Sequence, residues 1–155
     1  MIDLFEPGDL LIERGSGIWG GGAKLLFGAD HQHACLITND RHYVIEAVWD
    51  GVKVNRISQN LERYELWRPL CSEEIRRAAV VEAFRSLEEG YGYQQLLLKL
   101  INQRFGIPVP DVPGVWCGEL IARCYSRRGY DLNLMLPDHA TGPWDLRNPR
   151  LVRLA

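Results

Sequence analysis

A chain of 155 residues, 46% of them hydrophobic, carries apolar material for one ordinary globular core and is too short for two, so a single domain over 1–155 is expected. Its 18 basic and 20 acidic residues leave a formal charge of −2, with no basic block of the kind that neutralises phosphates, which argues against a nucleic-acid partner. No apolar run approaches the roughly 18 residues needed to span a bilayer, and Met1–Pro7 has neither the basic nor the apolar region of a secretion signal, so the expected setting is cytoplasmic, with any export by a non-classical route.

Taken in chain order, Pro7-Gly8-Asp9 leads into Leu10-Leu11-Ile12, a short buried strand, and Gly15-Ser16-Gly17 with Gly20-Gly21-Gly22 reads as a loop around Trp19. That glycine run lacks the Lys-Ser/Thr of a phosphate-binding loop and a following acidic residue at dinucleotide spacing. Two β-rich runs, Ala34–Thr38 and Tyr43–Ala47, flank Asn39-Asp40-Arg41 and give a hairpin signal. Short strands are expected at Val52-Lys53-Val54 and at Glu65–Arg68 before Pro69.

The period then changes. Ile75, Ala79, Ala83 and Leu87 recur at helical spacing behind a Ser72 cap, with Glu73 and Glu74 in the first turn and Gly90 as the stop. A second helix is predicted from about Gln94 to Arg104. The proline-rich stretch Ile107–Gly114 interrupts regular structure, and a third helix runs from Cys117 to Arg128 with Gly129 as its stop. Leu151-Val152-Arg153 is a candidate last strand. The sum is an α+β chain, mainly β in its first half.

The four cysteines, Cys35, Cys71, Cys117 and Cys124, are scattered, and a chain of this size folds without staples. Cys117 and Cys124 share a helix face but stand about 10 Å apart along its axis at ~1.5 Å per residue, beyond disulfide reach. Free thiols in a reducing compartment are expected.

Cys117 follows a Pro-Gly turn and opens a helix, where unpaired backbone N–H groups and the helix dipole favour a negative charge. The competing role of a free cysteine is that of a small buried hydrophobe, and a base within reach separates the two. His33 begins a strand, whereas His42 and His139 fall in predicted turns. A tight hairpin turn centred on Asn39-Asp40 pairs Thr38 with Arg41 and, counted outward, His33 with Glu46, placing their Cβ atoms about 5 Å apart on one face. The carboxylate would then hold one imidazole nitrogen and leave the other for the thiol, as in a catalytic triad. A turn centred one residue later moves Glu46 opposite Cys35 instead. A zinc site from His31, His33, Cys35 and Cys117 is the rival chemistry. Crowded alternate-strand ligation and the lack of a second paired motif count against it, so neither metal nor cofactor is expected.

Pro7-Gly8-Asp9-Leu10-Leu11, His33-Ala34-Cys35-Leu36-Ile37, Val44-Ile45-Glu46-Ala47 with Gly51-Val52, Gly90-Tyr91-Gly92-Tyr93, Trp116-Cys117-Gly118-Glu119-Leu120 and Pro143-Trp144-Asp145-Leu146 form an ordered series covering nearly the whole chain. Together they resemble the circularly permuted NlpC/P60 proteins of the YiiX/YebB-like type. Histidine before cysteine is the order that a permuted papain-like chain shows. The resemblance implies a papain-like α+β domain, a small antiparallel sheet or partial barrel packed on helices. It implies Cys117 as nucleophile, His33 as base and Glu46 as the polar third member. It also implies a tyrosine near the site, for which Tyr93 fits the spacing better than Tyr91. Relatives often have serine after the cysteine, where this chain has Gly118. Trp19 in its glycine loop, Trp116 and the proline-rich segment are candidate walls of a substrate groove.

The implied activity is that of a thiol hydrolase cleaving a peptide or acyl-amide substrate, foremost a peptidoglycan peptide. Two alternatives stand beside it: a lipid-directed amidase or acyltransferase of the lecithin:retinol acyltransferase-like type, and a non-catalytic binding module that keeps the fold.

Overall fold

The computed structural model describes residues 2–14, 31–57, 60–87, 89–90 and 114–155. The helix expected from about Gln94 to Arg104, the glycine loop with Trp19, and Tyr91 and Tyr93 lie outside the described residues. Six strands are described: β1 (Leu10–Arg14), β2 (His31–Ile37), β3 (Tyr43–Val48), β4 (Gly51–Arg56), β5 (Tyr64–Pro69) and β6 (Leu151–Arg153), with helices α1 (Glu73–Arg85) and α2 (Cys117–Ser126). The strands form one antiparallel sheet in the order β4-β3-β2-β1-β5-β6. The chain is therefore α+β. Among the described residues no helix is long and apolar enough to cross a membrane.

The continuous apolar runs of β1 and β2 are explained by burial on both sheet faces. Leu10, Ile12, Ala34, Leu36, Ile45 and Ala47 pack with Ala79, Val80 and Ala83 of α1 and with Leu120, Ile121 and Tyr125 of α2. The alternate residues Leu11, Cys35, Ile37 and Val44 join Phe5 and Leu66 in a second cluster.

Helix α1 begins as expected, with the Ser72 hydroxyl accepting from the Ile75 N–H at 3.3 Å. It stops at Ser86 rather than running toward Gly90, its last turn tightened so that the Ser86 N–H reaches the Ala83 carbonyl at 3.1 Å. Helix α2 closes around Gly129 at φ +77. There the Tyr130 N–H reaches the Tyr125 carbonyl at 3.1 Å and the Gly129 N–H the Ser126 carbonyl at 2.9 Å.

The hairpin register differs from the tight-turn expectation. Leu36 pairs with Ile45 and Ile37 with Val44, a register that carries Glu46 opposite Cys35 and not opposite His33. The connection is a longer loop held by side chains: the Thr38 hydroxyl donates to the Asp40 carbonyl at 2.7 Å, and the Asp40 carboxylate accepts from the His42 N–H at 3.0 Å. His33 and Glu46 become diagonal neighbours on one face, which still lies within reach of long side chains.

Gly8 ties the sheet to both helices. Its N–H donates to the Ile37 carbonyl at 2.9 Å and its carbonyl accepts from the Tyr125 hydroxyl. At φ +86, a Cβ here would lie 2.6 Å from Arg76 Cβ and 2.7 Å from the Arg76 carbonyl oxygen. Gly8→Ala is expected to lower unfolding free energy by about 2 kcal/mol or more, read from the urea midpoint. Gly90→Ala, whose added Cβ would meet nothing within 4 Å among the described residues, should change it by less than about 0.5 kcal/mol. Equal effects would contradict this account.

Candidate active site

Cys117 is the first residue of α2, behind Trp116 in the N-cap position, whose side chain makes no capping hydrogen bond. Cys117 therefore stands at the positive end of the helix dipole, among the backbone N–H groups of the first turn. Cys117 itself is 3% exposed.

Two glycines allow the backbone to close over this helix start. A Cβ on Gly118 would collide with the Thr141 carbonyl oxygen and lie 2.7 Å from Gly142 Cα, which explains glycine where serine is frequent in the resembling family. A Cβ on Gly142 would lie 2.7 Å from the Trp144 ring. Trp116 and Trp144 meet edge-on at 5.8 Å between centroids, and the Trp116 indole N–H donates to the His139 carbonyl at 3.3 Å. Trp116 is 1% exposed, so its place is behind Cys117, bracing the helix, and not on a groove wall as the sequence suggested.

His33 joins the helix to the sheet. Its Nε2–H donates to Glu46 Oε2, and its ring is also hydrogen-bonded to the Cys117 side chain. With Nε2 taken by the carboxylate, Nδ1 is the nitrogen left for sulfur. The β1–β2 register shifts between Glu13 and Arg14, opposite His33 and His31, so β2 bends where this ring leaves the sheet. The other Glu46 oxygen, Oε1, accepts from Asn55 Nδ2 at 2.9 Å. Both Glu46 oxygens are thus engaged and the carboxylate has one orientation.

Nothing local in the sequence singles out Asn55. Its signal lies in the β3–β4 pairing, where Val44 faces Asn55 and Glu46 faces Lys53, making Asn55 a diagonal neighbour of Glu46.

Burial by itself disfavours charge on His33 and is the largest single influence. The hydrogen bonds to Cys117 and Glu46, with the attraction of both groups, outweigh it and push the imidazole up from 6.5 to about 10. Glu46 is likewise opposed by burial, yet its hydrogen bond and attraction to His33 hold it below 4.5. The other thiols are of a different kind. Burial, then the nearby Glu46 carboxylate, pushes Cys35 well up, and its sulfur donates to the Leu11 carbonyl at 3.6 Å. Burial raises Cys124 to about 12 and also raises Cys71. All four are free cysteines. His42 is exposed and pairs with Asp40 at 3.0 Å.

The two shifts give a pH signature. A histidine raised from 6.5 to about 10 on folding contributes stability that is complete below about pH 6.5 and disappears as pH rises toward 10. A glutamate lowered below 4.5 contributes stability above that pH and loses it on acidification. The difference in unfolding free energy between wild type and His33→Gln should therefore be largest between about pH 4.5 and 6.5 and shrink toward about pH 10. Urea denaturation across this range measures it, and a difference growing with pH would contradict the pairing.

No family model matches the chain, and no curated protein does. Among solved structures, the crystal structure of metalloprotein yiiX from Escherichia coli O157:H7 matches with a TM-score of 0.68 at 15% identity, covering 97% of this chain and 96% of that one. The metal in that description finds no matching donor set among the described residues, where no three His, Cys, Asp or Glu side chains are grouped to hold an ion. At 15% identity the likeness shows the fold alone: this chain folds, along nearly its full length, as that protein does.

Proposed function

We propose that this chain is a thiol hydrolase with the papain-like, circularly permuted NlpC/P60 architecture, in which Cys117, His33 and Glu46 act as a triad on an amide bond. The observation that carries the reading is one imidazole hydrogen-bonded both to a carboxylate and to a cysteine at a helix start. The match to yiiX over nearly the full length of both chains is consistent with it.

In this mechanism the Cys117 thiolate attacks the amide carbonyl carbon while His33 carries the proton. The developing oxyanion is met by the Cys117 backbone N–H at the head of α2. The imidazolium then gives its proton to the departing amine, the C–N bond breaks, and an acyl-enzyme thioester remains. Water, deprotonated by His33, attacks the thioester and returns the thiol. Glu46 keeps the imidazole oriented and balances its charge throughout, with Asn55 fixing the carboxylate. The substrate proposed is a cell-wall peptide, a choice that rests on the family resemblance of the ordered motifs.

Incubating wild type and Cys117→Ala with muropeptides and with N-acyl lipids, followed by mass spectrometry, tests both chemistry and substrate. Cleavage of muropeptides by wild type alone is expected. Product from both proteins, or from neither, would overturn the peptide reading, and product from the lipids alone would transfer the activity to acyl-lipid substrates. On whichever substrate turns over, His33→Ala and Glu46→Gln should each lower kcat by at least about 100-fold. Asn55→Ala should lower it less, by about tenfold, and displace the pH profile, because it acts through Glu46.

A further inference from the structure

A cavity of about 100 Å³ borders the carboxylate that holds His33. Among the described residues, Leu11, Cys35 and Val44 form its buried floor, Glu46 a wall, and Arg56, Ile57 and Tyr64 its more exposed rim. Cys35 lies two residues from His33 on β2, and Val44 two from Glu46 on β3, so strand alternation puts all four on one side of the sheet. The space equals about three waters at ~30 Å³ each, or a group of about five non-hydrogen atoms.

Two complementary polar groups line it. Glu46 accepts one bond on each oxygen, from His33 and from Asn55, and a carboxylate offers about four acceptor positions, so a further donor can be taken. Burial, with Cys35, Glu13 and Glu46 nearby, pushes the Tyr64 hydroxyl up to about 12. That hydroxyl keeps its proton and can donate, and among the described residues no hydrogen bond engages it.

Charge sets the class of ligand. Glu46 is balanced by the His33 imidazolium, and Glu13, which stands between His33 and Tyr64 in the register, is balanced by Arg63. Arg56 is exposed, where solvent screens its charge. An added carboxylate would lie beside Glu46. An added ammonium would leave water for a largely apolar floor and meet only carboxylates that already have a cation, so either ion pays desolvation with little return. A neutral group that donates at one end and accepts at the other loses least.

We propose that this cavity binds a small neutral amide, its NH2 donating to Glu46 and its carbonyl accepting from Tyr64, and that occupancy acts on Cys117 through Glu46 and His33. The coupling rests on the triad of Cys117, His33 and Glu46; the binding does not. A donor on Glu46 draws charge from the carboxylate, weakens its hold on the imidazolium and so disfavours the Cys117 thiolate.

Propionamide, propionate and propylammonium have similar shapes and differ in charge, so ligand-detected NMR titration of each against wild type reads the class. Propionamide should bind saturably in the roughly millimolar range of so small a ligand, about fivefold tighter than either ion. Tyr64→Phe, which keeps the ring, should weaken it about fivefold, and Ile57→Phe, which fills the rim, should abolish it. If one variant loses its folded circular-dichroism signal, the other carries the comparison. Absence of saturable propionamide binding, equal or tighter binding of either ion, or undiminished binding in the folded variants overturns the site.

Saturating propionamide should also slow modification of Cys117 by methyl methanethiosulfonate about twofold or more in wild type and not in Ile57→Phe. An unchanged or faster rate in wild type overturns the coupling and leaves the site. A Cys117 no more reactive than an ordinary thiol sinks the nucleophile instead, and the binding comparison still decides the cavity. On a substrate that turns over, propionamide raising KM alone assigns the cavity to an amide group of the substrate. A lowered kcat at constant KM assigns it to a free effector.

Discussion

The His33 imidazole is the piece on which the two halves of the molecule meet. It belongs to the sheet, is gripped by a carboxylate from the neighbouring strand, and reaches the sulfur that opens α2. Burial opposes a charged ring in this position, so the charged ring is favoured only because its hydrogen bonds and attraction to Cys117 and Glu46 outweigh the lost hydration. Everything nearby acts on that balance. The loop after β2 sets the register that brings Glu46 within diagonal reach, and Asn55 occupies the second carboxylate oxygen. Gly118 and Gly142 let backbone close against the helix start without displacing it.

The same logic separates the cysteines. Cys35 lies on the same strand as His33, close enough to feel the Glu46 charge, yet it is buried against Leu11, Ile37 and Val44 with its sulfur donating to the Leu11 carbonyl. Cys124 shares a helix with Cys117 and is held neutral by burial. A thiol becomes a candidate nucleophile through a base and a helix end, and one of the four has both.

Buried carboxylates organise the periphery as well. Asp9, fully buried, receives Arg68 in a two-pronged contact of 2.8 and 2.7 Å, which locks the segment before β1 to β5. Such buried pairs add little net stability against an apolar replacement, but losing one partner is costly. Glu65 and Glu82 are each met by several arginines, Arg14, Arg147 and Arg153 at the first and Arg85, Arg127 and Arg128 at the second.

Much of this is legible in the sequence. Apolar alternation, the Ser72 cap and the Gly129 stop mark strands and helices because they are local consequences of backbone geometry and hydrogen bonding. Cys117 at a helix start, His33 on a strand and Glu46 across a hairpin can be named for the same reason. The hairpin register departs from the sequence expectation because the Thr38 and Asp40 side chains favour a longer loop over the tight turn. Trp116 is a brace and not a groove wall, since a tryptophan beside a nucleophile has the same sequence signal in either role. Asn55, the close approach at Gly118 and the meeting of Arg14, Arg147 and Arg153 on Glu65 were decided by tertiary structure alone. They join residues from distant parts of the chain, and no local periodicity or propensity records which side chains a sheet register and a helix docking will bring together.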